Sequence, residues 1–291
     1  MNAPVTTASQ TIGDALTWAT NALAASGVQG ARRDARLLLQ EAAGATAEAL
    51  LAHTDCALTP AQQTRYARLI GRRRVREPVS RILGTREFWG LDFAISPATL
   101  DPRPDSETLI ECALAGIAGR AAPWNVLDLG TGSGCLLLAL LSELPAAHGA
   151  GCDASAAAVV TARANAAALG LSRRAAFYVG DWAEALDARF DVILSNPPYI
   201  PDLEISALAP EVRDFDPHRA LDGGGDGLAA YRAIAPQIAA LLVPRGRAVI
   251  EVGAGQARQA SAILAAHGLS VADPVPDLAG VERCIIASVG R

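Results

Sequence analysis

Val126-Leu-Asp-Leu-Gly-Thr-Gly-Ser-Gly134 runs from a short apolar strand into a turn and, from Cys135, into a helix. Glycines at 130, 132 and 134 allow a tight turn and let a ligand come close to the backbone. The first N–H groups of the following helix have no helical partner, which suits a polar or anionic group. Outward from this stretch, strand and helix alternate. Asn125–Leu129 reads as a buried strand, Cys135–Leu144 as a helix, Ala150–Asp153 as a strand and Ser155–Leu169 as a helix closed by Gly170. Ala176–Val179 and Asp191–Ser195 read as strands, Leu228–Leu242 as a helix, Ala248–Val252 as a strand, Gln256–His267 as a helix and Cys284–Val289 as a last strand. Such alternation implies a Rossmann-like, mostly parallel sheet covered by helices on both faces.

The residues before this region have a different character. From residue 11 to about 76 the pattern is helical: Ile12, Leu16, Ala19 and Leu23 follow helical spacing, and Leu37, Leu38 and Leu39 mark a second segment. Gly44 stands where a helix would stop, and Thr59-Pro60 reads as an N-cap followed by proline at the first helical position. Residues 79–100, with Phe88, Trp89, Phe93 and glycines at 84 and 90, read as a β-hairpin. Asp101–Glu107 is a proline-stiffened loop ending in Asp105 or Ser106 as the cap of a helix that begins near Glu107. The chain therefore divides into a helical domain (1–77), a hairpin linker (78–105) and an α/β domain (106–291).

Bulk composition narrows the function. The 291 residues are 51% hydrophobic and 19% charged, ordinary for a globular protein with a real core. A net charge of −5 argues against stable binding to a nucleic-acid backbone. The local cluster Arg72, Arg73, Arg74 and Arg76 reads most simply as a solvated helix end. Five scattered cysteines read as reduced, buried small side chains, and the four histidines show no metal-ligand spacing, so no metal is expected. No apolar run is long enough to cross a membrane, and the N-terminal ten residues lack the pattern of a secretory leader. The expected compartment is the cytoplasm.

Three further features define a site. Asp153 closes the second strand, well placed to accept from ribose hydroxyls, and Asp181-Trp182 closes the third with an acid and an indole. The strand Asp191–Ser195 then runs straight into Asn196-Pro197-Pro198-Tyr199. The two prolines fix the backbone and remove two N–H donors. The Asn196 side chain and the Pro197 carbonyl can both accept hydrogens from a planar –NH2 group, on which Tyr199 can stack. An amide nitrogen is a poor nucleophile, and two acceptors that orient it and stabilise developing positive charge answer that need. A dinucleotide site is the natural rival for the glycine turn, but Cys135 falls where that fingerprint needs a small residue.

The spacing Gly130-x-Gly132-x-Gly134 after Asp128 resembles the cofactor loop of class I S-adenosylmethionine-dependent methyltransferases, and Asn-Pro-Pro-Tyr resembles the motif of enzymes that methylate planar amino nitrogens in DNA adenine or in glutamine. The whole chain resembles the PrmC/HemK family of protein-(glutamine-N5) methyltransferases. The likeness takes in Gly84–Gly90, Ser96–Glu107 with its Pro-Arg-Pro-Asp-Ser-Glu, Glu211–Leu221, Gly223–Gly227 and Asp277–Arg283. The resemblance implies that Gly130, Thr131, Gly132, Ser133 and Gly134 hold the methionine part of S-adenosylmethionine, with Asp153 on the ribose and Trp182 at the adenine. It implies that Asn196 touches both cofactor and glutamine, that Pro197, Pro198 and Tyr199 complete the glutamine pocket, and that Arg103 and Glu107 shape the cleft. S-adenosylhomocysteine would be the product. The implied substrates are class I peptide chain release factors, whose Gly-Gly-Gln loop would enter the cleft of a monomeric enzyme while the helical domain contacts the factor. Asp101 and Asp216 depart from the family's usual residues, and neither is expected to touch the motifs. The alternative function is adenine-N6 or guanine-N2 methylation of nucleic acid.

Overall fold

The computed structural model describes residues 11–184 and 186–290. The first ten residues, in which no leader pattern is read, lie outside the described residues. Two compact units meet in sequence at Gly84 and Thr85.

The first unit is helical: α1 (Ile12–Ala25), α2 (Ala31–Ala43), α3 (Ala47–Ala52), α4 (Pro60–Arg74) and α5 (Val79–Leu83). Helical spacing selects its core. Ile12, Ala15, Ala19 and Leu23 from α1 pack with Ala35, Leu38 and Leu39 from α2 and Tyr66, Leu69 and Ile70 from α4. Thr59 caps α4 through a reciprocal capping box with Gln62, and α2 stops at Gly44 in the left-handed region (φ 64°). The hairpin expected from residue 79 starts later. Val79, Ile82 and Leu83 have helical spacing and face the helical core, so this stretch forms α5, closed at Gly84 (φ 78°). The arginine cluster is also less solvated than expected. Arg73 is buried and donates to Asp34 Oδ2 at 2.8 Å and to the Glu77 carbonyl at 3.3 Å, while Arg72 Nε donates to Glu77 Oε2 at 2.7 Å. The solvated reading holds for Arg74, which is exposed.

The second unit opens with a hairpin, β1 (Thr85–Phe88) and β2 (Leu91–Ala94). It continues through α6 (Glu107–Ala115), β3 (Asn125–Leu129), α7 (Cys135–Glu143), β4 (His148–Asp153), α8 (Ala156–Ala168), β5 (Ala175–Val179) and β6 (Phe190–Ser195). After two short helices, α9 (Asp202–Ile205) and α10 (Pro210–Arg213), come α11 (Ala229–Leu241), β7 (Leu242–Glu251), α12 (Ala257–Ala266), β8 (Leu269–Val271), β9 (Val275–Pro276) and β10 (Glu282–Val289). Strand β7 begins at Leu242 rather than Ala248, and its first pairs with β6 are offset by an irregularity.

The sheet runs β5-β4-β3-β6-β7-β10-β8, with β9 on β10; β3 to β7 are mutually parallel and β10 is antiparallel. Alternate residues of the central strands feed opposite faces: Val126, Val192 and Leu194 enter one core, Leu127, Leu129 and Ile193 the other. Helix α7 is apolar all round because it is enclosed, with Leu136 to Leu141 all buried. The chain passes from β3 outward to β4 and β5, then returns to β6 on the other side of β3. Open α/β sheets bind ligands at such a reversal, beyond the carboxyl ends of the strands. Gly130–Gly134, Asp153, Asp181-Trp182, Asn196 and Glu251 all stand at or just beyond those ends. Among the described residues, no helix is long and apolar enough to cross a membrane.

Candidate active site

The glycine turn is held from several sides. Gly130, Gly132 and Gly134 all have positive φ (74°, 56° and 81°). Thr131 N donates to the Cys152 carbonyl at 2.8 Å, and Thr131 Oγ1 donates to Asp128 Oδ2 at 2.6 Å. Burial pushes the Asp128 carboxyl up to about 7, against the pull of that bond. Asp153 bridges two elements: Oδ2 accepts from Gly132 N at 2.9 Å and Oδ1 from Ser155 N at 2.8 Å. Asn165, buried on α8, donates to the Ser133 and Ala94 carbonyls and accepts from Ala94 N, so it ties the turn to the hairpin.

A cavity opens over this turn, lined by Gly130, Thr131, Gly132, Ser133, Asp153, Asp181, Trp182, Asn196 and Pro198. Cys135 and Leu136, in the first turn of α7, also face it. Gly134 does not; a Cβ there would meet Ala162, Leu138 and Phe177 at 3.2–3.3 Å, so its role is packing. Trp182 has φ 50°, and its indole lies over Gly130, 3.4 Å from where a Cβ would sit.

A second, smaller cavity is lined by Tyr199, Ile200, Leu208, Val212, Leu221 and Glu251. The two cavities share Leu100, Arg103, Asn196 and Ala220. Pro197 lines neither. Asn196 Nδ2 donates to Ser106 Oγ at 3.2 Å, Ser106 Oγ donates to Glu251 Oε2 at 2.5 Å, and Tyr199 Oη donates to Glu251 Oε1 at 3.2 Å. Burial and the Glu251 carboxyl push the Tyr199 phenol up, so it remains a donor. Burial likewise raises Glu251 to about 7.

The loops above the site are pinned. Asp216 ion-pairs with Arg103 and accepts from Asp101 N at 3.3 Å. The two departures from the family pattern thus meet each other and grip the Pro-Arg-Pro segment, contrary to the expectation that they stand clear of it. Glu107 does not line the cleft; its carboxylate accepts from Trp89 N at 2.8 Å and braces the hairpin turn. Gly227 lies against the Tyr199 carbonyl, where a Cβ would come within 2.4 Å, so this glycine is required by close approach. Asp277 holds Arg283, which reaches Asp105 at 3.4 Å beside Ser106.

A release factor glutamine methyltransferase from Rhodospirillum rubrum is 52% identical over 91% of this chain and 81% of its own length. The chain belongs to the release factor glutamine methyltransferase family. Relatives of the same name from Bradyrhizobium diazoefficiens (50% identical, 88% of both chains) and Cereibacter sphaeroides (47% identical, 94% of this chain and 97% of that one) agree. Residues 14–84 match the PrmC N-terminal domain, and residues 105–213 match the methyltransferase small domain. The fold is that of class I methyltransferases. The hMettl16 catalytic domain in complex with MAT2A 3'UTR hairpin 6 aligns over 73% of this chain and 82% of its own, with TM-score 0.59 at 17% identity. A methyltransferase from Pyrococcus furiosus aligns over 78% and 99%, with TM-score 0.53 at 16% identity.

Within this family member, the residues that sequence reading missed are Ser106, Asn165 and Glu251. Each is a buried polar side chain whose hydrogen-bond partners lie far along the chain. Glu251 carried a faint signal, a carboxylate inside the otherwise apolar stretch Ala248–Val252.

Proposed function

We propose that this protein transfers the methyl group of S-adenosylmethionine to the side-chain amide nitrogen (N5) of the glutamine in the Gly-Gly-Gln loop of class I peptide chain release factors, in support of translation termination. One observation carries the reading: Asn196 lines both cavities, at the junction between a site suited to the cofactor and an apolar pocket with a polar end. The donor set of the larger cavity fits the cofactor. The Asp153 carboxylate has lone pairs to spare for ribose hydroxyls beyond its two backbone bonds, Trp182 with Asp181 offers a face and an acceptor for adenine, and the first turn of α7 faces the methionine end. Gly132 has no atom within 4 Å of the position a Cβ would take, so the turn is open there.

Bound in that cavity, S-adenosylmethionine supplies an electrophilic methyl group and leaves as S-adenosylhomocysteine. The chain's own residues do the rest. With Nδ2 committed to Ser106, Asn196 turns Oδ1 toward the pocket as an acceptor. Its Oδ1 accepts one hydrogen of the glutamine amide, aims the nitrogen lone pair and stabilises the positive charge that develops until the nitrogen releases one of its two protons. Pro197, which lines neither cavity, fixes the backbone between Asn196 and Tyr199. The aliphatic wall of Ile200, Leu208, Val212 and Leu221 holds the glutamine stem and excludes water. Tyr199 supports the amide plane. The helical unit recognises the body of the release factor, and the protein acts as a monomer in the cytoplasm, where termination occurs.

The test offers labelled S-adenosylmethionine to the protein with a release factor and duplex DNA together. Label on the release factor, absent when its Gly-Gly-Gln glutamine is replaced, is the expected result; label on DNA alone would overturn the reading.

A further inference from the structure

The network behind Asn196 joins residues far apart in sequence: Ser106 enters α6, Glu251 ends β7, and Tyr199 follows β6. The sheet register explains the meeting. Ser195 pairs with Ile250 on parallel strands, so the next residues, Asn196 and Glu251, emerge side by side. Ser106 and Glu251 are both almost wholly buried, at 3% and 1% exposure, so solvent does not share in these bonds.

The order of donors and acceptors is fixed by counting hydrogens. A serine hydroxyl carries one hydrogen, and Glu251, ionised above its raised value of about 7, carries none on its carboxylate. Ser106 lies 2.5 Å from Glu251 Oε2 and so gives its hydrogen there. It can then only accept from Asn196, which requires Nδ2, not Oδ1, to face it at 3.2 Å. If the Asn196 amide turned over, Oδ1 would confront a serine oxygen with no hydrogen left to offer. Tyr199 occupies Oε1 at 3.2 Å, so the carboxylate is engaged from both sides. We infer that Ser106 and Glu251 are positioning residues for methyl transfer, locking the Asn196 amide with Oδ1 toward the acceptor glutamine; this rests on the chemistry proposed above. Ser106 borders the larger cavity and Glu251 the smaller, and each acts on the reaction through Asn196.

The experiment uses the full chain at pH 8, above the raised Glu251 value of about 7. Single-turnover transfer to an intact release factor is measured at saturating cofactor, beside cofactor affinity and thermal stability. Ser106→Ala frees the amide to turn and is expected to slow transfer by about 10²-fold, the scale of an ~1 Å misplacement in a reacting geometry. Cofactor affinity should stay within about 2-fold, because the assigned cofactor contacts are elsewhere. Ser106→Thr, which keeps the hydroxyl, should restore most of the rate. Glu251→Gln replaces a pure acceptor with a group that can donate to Ser106, which frees the serine hydrogen for Oδ1 and permits the wrong orientation. It should slow transfer by about 10-fold or more while stability holds or rises, because a buried charge has been removed. A merely structural residue would lose stability first. If the wild-type protein labels the release factor and both Ser106→Ala and Glu251→Gln react at the wild-type rate, the inference is wrong while the proposed activity stands. If the wild-type protein methylates no glutamine, the proposed activity fails and the inference falls with it.

Discussion

Asp153→Ala probes the cofactor assignment where geometry gives the effect a size. The carboxylate accepts from Gly132 N at 2.9 Å and Ser155 N at 2.8 Å, one bond to each oxygen. Two oxygens offer about four lone-pair sites, so roughly two remain for the ribose hydroxyls. Hydrogen bonds to a charged acceptor contribute about 1.5–3 kcal/mol. At about 1.4 kcal/mol per decade, loss of one such bond raises the dissociation constant roughly 10- to 100-fold, and loss of both raises it further. The freed Gly132 N–H adds to this, because the turn loses the bond that sets its distance from β4. The assay is calorimetric titration with S-adenosylhomocysteine, beside single-turnover transfer at saturating S-adenosylmethionine. Affinity should fall steeply while the rate of the filled complex changes little. Unchanged affinity in a folded variant would refute the assignment of Asp153 to the ribose.

Three further outcomes are expected. Asn196→Ala should lower single-turnover transfer by about 10²–10³-fold at nearly constant cofactor affinity, as for loss of one preorganised polar group; a wild-type rate would contradict the amide grip. Removing residues up to Gly84, the end of the helical unit, should leave a protein that titrates with S-adenosylhomocysteine but methylates release factor poorly, and full activity on intact factor would sink that division of labour. Folding stability should fall as pH rises from about 4.5 to 7, because burial raises Glu251 from 4.5 and Asp128 from 3.8 to about 7, so the native state keeps protons that the unfolded chain has released. Glu251→Gln should flatten that slope by an amount on the order of 3 kcal/mol, measured by denaturant unfolding at each pH; an unaltered slope would mean that Glu251 is not one of the titrating groups.

The α/β frame was readable because its signals are local. Glycines at 130, 132 and 134 follow an apolar strand within one short stretch, and Asn196–Tyr199 follows another. Strands buried on both faces read as unbroken apolar runs, as at Val192–Leu194. The misreadings have physical causes. Val79–Leu83 is too short for its helical period to stand out beside a hairpin rich in aromatics, and β8 and β9 are edge strands of three and two residues that carry no periodicity. The reading of the cysteines as buried fails at Cys56, which is exposed. Arg73 pairs with Asp34 across 39 residues, and Ser106 reaches Glu251 across 145. No local pattern announces such pairs, because it is the fold that brings them together. Trp182 was legible as an aromatic closing a strand, whereas its left-handed backbone and the seat of its indole over Gly130 were not.

Fragmentation mass spectrometry of release factor treated with this protein and S-adenosylmethionine tests the central claim most directly. One added methyl is expected, on the side-chain nitrogen of the Gly-Gly-Gln glutamine and on no other residue. A methyl on a different side chain, or an unmodified glutamine in a reaction that consumes cofactor, would contradict it.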